Sequence, residues 1–113
     1  MFNVSITQTA IECALDIEAF NTPKLGQDKA QALAESLLDN AEEHLSENPM
    51  RFRVCPLLAS FGVVIRERID DRRYRTLFSV DEVKGSVEVL LILHERQDIQ
   101  GALTRHLLSY KLE

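Results

Sequence analysis

A chain of 113 residues suffices for one domain with a modest core and not for two. Its hydrophobic content of 45% argues against wholesale disorder, and no apolar run approaches the ~18–20 residues of a membrane span. The net charge of −5 disfavours a general nucleic-acid coat, although it hides an asymmetry. Residues 1–48 hold two lysines and nine acids, whereas residues 49–113 hold eleven basic and nine acidic residues. Seven of the nine arginines fall between Arg51 and Arg75, so one part of an acidic chain is equipped to grip something anionic.

The start, Met1-Phe2-Asn3-Val4-Ser5-Ile6, lacks the basic stretch and longer apolar run of a signal peptide, and a cytoplasmic protein is expected. Phe2, Val4 and Ile6 alternate with polar residues as in a half-buried strand. Thr9-Ala10-Ile11-Glu12 matches a capping box and predicts a helix over 10–20. Thr22-Pro23 looks like a second helix start, but Gly26 weakens that first turn and moves the expected start towards Gln27. Ala30, Leu33, Ala34, Leu37, Leu38, Ala41 and Leu45 then form an apolar stripe at helical spacing. Glu35, Asp39, Glu42 and Glu43 lie mostly off it, on an expected solvated face, and Asn48-Pro49 ends the helix.

Four strands fit the next stretch of chain: 51–55, 61–69, 73–80 and 87–94. They are punctuated by Pro56 and Gly62, by Asp70-Asp71, and by the segment 81–86 with Gly85. Short links predict an antiparallel meander. A third helix is expected over 100–112, carrying Leu103, Leu107 and Leu108. The fold class is therefore α+β: strand, helix, helix, four-strand meander and C-terminal helix, in a single domain over 1–113. Cys13 and Cys55 have no CxxC spacing and read as small buried side chains, and no metal or cofactor site is expected.

Period-two alternation assigns Phe2, Val4, Ile6, Phe52, Val54, Val63, Ile65, Tyr74, Phe78, Val80, Val87, Val89, Leu91 and Leu93 to a buried face. It assigns Arg51, Arg53, Arg66, Arg68, Arg73, Arg75 and His94 to the other, with Leu90 and Ile92. Glu67 is out of place among the apolar positions. Either Asp70, Asp71, Asp81, Glu82 and Glu88 neutralise the arginines within the chain, or an external partner does. Arginine's planar fork suits carboxylate and phosphate alike.

The segment from Tyr74-Arg75-Thr76-Leu77-Phe78 through the almost wholly apolar run Val87–Leu93 to His94-Glu95-Arg96-Gln97-Asp98-Ile99 resembles the RelE/ParE superfamily, the toxins of bacterial type II toxin–antitoxin operons. The predicted order of elements is similar to that family's helical hairpin on a twisted antiparallel sheet. The resemblance implies a cognate antitoxin that covers the active surface, and two alternative targets. ParE-like members poison DNA gyrase without catalysing a reaction; RelE-like members cut mRNA on the ribosome.

Several residues bear on that choice. Arg66 and Arg68 fall where RelE-like nucleases place a basic pair, Arg75 matches a phosphate-binding arginine, and Arg96 matches the arginine after the last strand. The tyrosine expected beyond Arg96 is replaced by Ala102, and arginine is a poor general base because it stays protonated. The 94–99 ending is closer to the ParE-like branch, and a pI near 5.2 disfavours docking among ribosomal phosphates. A gyrase inhibitor with no catalytic residue is thus the leading expectation, with Arg51, Arg53, Arg66, Arg68, Arg73, Arg75, His94 and Arg96 as a basic face for antitoxin or target. The alternatives are a ribosome-dependent endoribonuclease using His94, Arg75 and Arg96, and a non-toxic member that binds its antitoxin in operon regulation.

Overall fold

The computed structural model describes residues 1–96 and 101–102. Strand β1 (Asn3–Ile6) leads into helix α1 (Gln8–Leu25) and helix α2 (Gln27–Glu47). A 3-10 turn, Pro49–Arg51, and a one-turn helix α3 (Pro56–Ala59) precede strands β2 (Arg66–Ile69), β3 (Tyr74–Asp81) and β4 (Ser86–His94). The sheet order is β1-β4-β3-β2; β2, β3 and β4 form an antiparallel meander, and β1 joins the edge parallel to β4. The α+β layout of a helical hairpin on a sheet is as expected.

Helix α1 differs at both ends from the sequence expectation, whereas α2 begins at Gln27 and stops before Asn48-Pro49 as expected. The N-cap of α1 is Thr7, not Thr9: its hydroxyl accepts from the Ala10 amide at 3.1 Å and donates to the Val89 carbonyl at 2.8 Å. Capping the helix and tying it to the sheet through one side chain favours this earlier start. Thr22-Pro23 does not open a second helix; α1 runs through Pro23 to Leu25. Asn21 and Thr22 turn their side chains back onto the Ile17 and Glu18 carbonyls at 2.7 and 2.8 Å. Gly26, at φ 87°, ends α1 and begins α2.

The α2 stripe is as expected, with Ala30, Ala34, Leu37, Ala41 and Leu45 buried and Leu33 and Leu38 half-buried. Glu35, Asp39, Glu42 and Glu43 lie off it, and all four are exposed. The core joins α1 and α2 to Phe78, Val87, Val89 and Ile92, and both cysteines are buried within it.

Two expected strands shrink. The segment 51–55 contributes a single bridge, Val54 to Arg66, between the 3-10 turn at Pro49 and the helix opened by Pro56. The segment 61–65 is not regular strand; Val63 is exposed instead of lying on the buried face, whereas Ile65 is buried as expected. The expected helix over 100–112, with Leu103, Leu107 and Leu108, lies outside the described residues apart from 101–102; Ala102 is buried in the core.

A register shift matters most for the site. Leu77 pairs with Leu91 while Phe78 pairs with Val89, so Leu90 is an extra residue in β4. A bulge of this kind reverses the facing of everything beyond it. Val87 and Val89 share the helix-covered face with Phe78, whereas Leu91 and Leu93 turn to the opposite face with Leu77 and Arg75. Ile92 and His94 turn towards the helices, opposite Thr76 and Tyr74.

Candidate functional site

The expected single arginine face does not form. Arg66 and Arg68 pair with Phe78 and Thr76, which places them on the helix side of β2. Arg75 pairs with Leu93 and lies on the opposite side. Alternation holds within each strand, but parity alone does not align one strand with the next; the hydrogen-bond register does.

Glu67 organises the opposite side. Its carboxylate accepts from Arg53 Nε and Nη2, each at 2.6 Å, and from Arg75 Nη1 at 2.9 Å. The Glu67 side chain is 1% exposed, Arg75 15% and Arg53 63%. Glu67 therefore engages, through Nη1, the Arg75 guanidinium that the sequence offers to an external phosphate. Leu77, Leu91 and Leu93 on this side are buried, so the face is a second apolar layer that also carries an internal ion triad. The Arg75 Nε is buried and has no hydrogen-bond partner among the described residues.

The other basic residues separate. Arg66 donates to the carbonyls of Phe52 at 2.6 Å and Met50 at 3.4 Å, which anchors the 3-10 turn to β2. Arg51 lies over the Phe52 ring at 4.7 Å. Burial holds the Arg68 guanidinium below its ordinary pKa; Asp70 and Asp71 oppose that effect, and repulsion by Arg51 and Arg72 adds to it. Arg73 adopts φ 72° in the β2–β3 turn and pairs with Glu95 at 3.4 Å. That turn is built on Asp70, which accepts from the Arg72 and Tyr74 amides at 2.9 Å and holds the Arg72 side chain.

His94 stands elsewhere, in an open cleft of about 670 Å³ between α1 and the end of the sheet. Cys13, Asp16, Ile17, Phe20, Asn21 and Lys24 line it from α1, and Tyr74, Ile92, His94 and Arg96 from the sheet side. Tyr74 meets His94 edge to face at 5.4 Å, and the Arg96 amide donates to His94 Nδ1 at 3.2 Å. Lys24 lies 4.7 Å over the Phe20 ring. The structure thus brings His94 and Arg96 together but sets Arg75 across the sheet from them, so the trio expected as an alternative catalytic set is not assembled.

Sequence reasoning misses two parts of this arrangement. Glu67 shows itself there only as a carboxylate out of phase. The cleft wall on α1 is legible in principle, because Cys13, Ile17, Asn21 and Lys24 recur at helical spacing. Its opposition to His94 requires the bulge at Leu90. Among the described residues no cluster of His, Cys, Asp or Glu is arranged to hold a metal, and no helix is long and apolar enough to cross a membrane.

No protein-family model matches the chain, and no curated protein matches it significantly. Among solved structures, it is similar to a chain of the chromosomal ParDE TA system from P. aeruginosa. The two superimpose with a TM-score of 0.65 at 16% sequence identity, over 83% of this chain and 96% of that one. Two helices on a four-strand sheet give this chain the same fold as that chain of a ParDE system.

Proposed function

We propose that the chain is the toxin of a bacterial type II toxin–antitoxin pair, acting in the cytoplasm on DNA gyrase and neutralised by a cognate antitoxin. The fold shared with a chain of a ParDE system supports the toxin–antitoxin assignment. The observation that favours gyrase over mRNA is the separation of Arg75 from His94. In-line attack by a ribose 2′-hydroxyl needs a base, an acid and a cation gathered at one phosphate. Here Arg75 is bound by Glu67 on one side of the sheet and His94 lies on the other.

The nuclease reading keeps one observation in its favour: His94 and Tyr74 share a cleft with Lys24 and Arg96. Expression of the chain alone in a bacterium separates the two. The gyrase reading expects growth arrest with intact reporter mRNA, and arrest that persists in His94→Ala. Cleavage of mRNA that disappears in His94→Ala would establish the nuclease. Unaffected growth with soluble protein present would point to a non-toxic, regulatory family member.

A further inference from the structure

Where the 3-10 turn meets the helix-facing side of β2, the chain leaves two guanidiniums unspent. Arg68 stands opposite Thr76 on that side, just before the β2–β3 turn. It is half-buried, yet among the described residues it donates no hydrogen bond and forms no ion pair. Burial works against its charged form, and so do the charges of Arg51 and Arg72, while Asp70 and Asp71 favour it. Arg51 is exposed and lies 4.7 Å over the Phe52 ring. Stacking of that kind orients a guanidinium without using its N–H donors. Phe52 is itself braced edge to face against the buried Phe78, at 6.1 Å.

The chain's own groups do not satisfy this pair. The Asp70 carboxylate is consumed by its turn: one oxygen accepts from the Arg72 and Tyr74 amides, the other from Arg72 Nε and Nη2 at 3.3 and 3.2 Å. Its side chain is 5% exposed, so it is not free to swing to Arg68. Arg72 is held a second time, by donation to Ser36 Oγ of α2 at 2.8 Å, and adds only its charge. Arg66 is committed to the Phe52 carbonyl. A half-buried cation beside like charges is unfavourable until an anion reaches it.

We propose that Arg51 and Arg68 form a binding site for a small tetrahedral dianion of the phosphate class, free or as a terminal phosphate monoester. A tetrahedral dianion presents an oxygen edge to each of two guanidinium forks and balances both charges, whereas a single carboxylate does neither. Longer polyanions, nucleic acid or acidic peptide, are disfavoured by the neighbourhood. Ser36 ties α2 to this edge, and Glu35 and Asp39 are exposed beside it on that helix. A compact anion avoids those carboxylates; an extended one would have to cross them. The site lies on the opposite side of the sheet from Arg75 and does not depend on the toxin reading.

The test uses the full chain and inorganic phosphate, with binding followed by phosphorus NMR and by thermal melting against chloride at matched ionic strength. The expected result is saturable binding that raises the melting temperature and that sulfate competes away. Arg68→Gln and Arg51→Gln should each weaken it about tenfold or more, as expected for the loss of charge-assisted hydrogen bonds. Lys84→Gln, in the β3–β4 turn, should leave it unchanged. Melts in chloride show that the variants fold, and because Arg51 is exposed its variant keeps the test decisive if Arg68→Gln unfolds. Adenosine monophosphate is the second probe: affinity equal to that of phosphate assigns the free dianion, and tighter binding through the same arginines assigns the monoester. No saturable binding, or binding that survives both glutamine variants, would overturn the proposal. So would a single-stranded oligonucleotide or a Glu-rich peptide that binds more tightly than either probe through Arg51 and Arg68, because the ligand would then be a polymer.

Discussion

The two faces of the sheet solve different problems. The helix-covered face buries Val87, Val89, Phe78 and Ile92 under α1 and α2, and at its open end leaves a cleft around His94. The opposite face also carries buried side chains, Leu77, Leu91 and Leu93, yet it contains Glu67 with Arg53 and Arg75. Chemistry that a nuclease would need on one surface is thereby divided between two. Cations near an apolar layer are best satisfied by an internal carboxylate, and once so satisfied they are withdrawn from an external phosphate.

The comparison is broken most severely at Glu67. Glu67→Ala leaves Arg75 mostly buried without its carboxylate and is expected to cost about 3–5 kcal/mol in urea unfolding. Replacing Glu67 and Arg75 together by leucine should cost much less than the sum of the single changes, because neither charge is stranded. Additive losses would show that the triad is not the coupled unit described.

Next come the two apolar layers. Leu91→Ala and Ile92→Ala remove side chains from opposite faces, and each is expected to cost about 2–5 kcal/mol. A small loss at Leu91 alone would mean that the face away from the helices is open after all. Smaller still, Thr7→Ala should cost about 1 kcal/mol, since it loses the cap and the tie to Val89, whereas Thr9→Ala should do little. Phe61→Ser/Val64→Ser should lie within about 0.5 kcal/mol of the parent, because both side chains are solvent-facing.

Much of the fold is legible in the sequence. The stripe from Ala30 to Leu45 places α2, Gly26 separates the helices, and Asp70 and Gly85 mark the two hairpin turns. These signals are local: each depends on a propensity or a period within one element. The failures are mostly relations between elements. A bulge at Leu90 cannot be seen in the unbroken apolar run from Val89 to Leu93, because either facing leaves an apolar side chain buried. The parity of Arg66 and that of Arg75 are each readable, but the register that puts them on opposite sides is not. Glu67 looks like an error of phase only when its phase is judged against a face it does not belong to.

The division of the arginine and histidine chemistry predicts a protein that inhibits its target without cleaving RNA. The direct test adds the purified chain, free of any antitoxin, to DNA gyrase with relaxed plasmid, and in parallel to ribosomes with a reporter mRNA. Lost supercoiling or trapped cleaved DNA beside intact mRNA is the predicted result. Cut mRNA with gyrase untouched would contradict it and make the His94 cleft the active site.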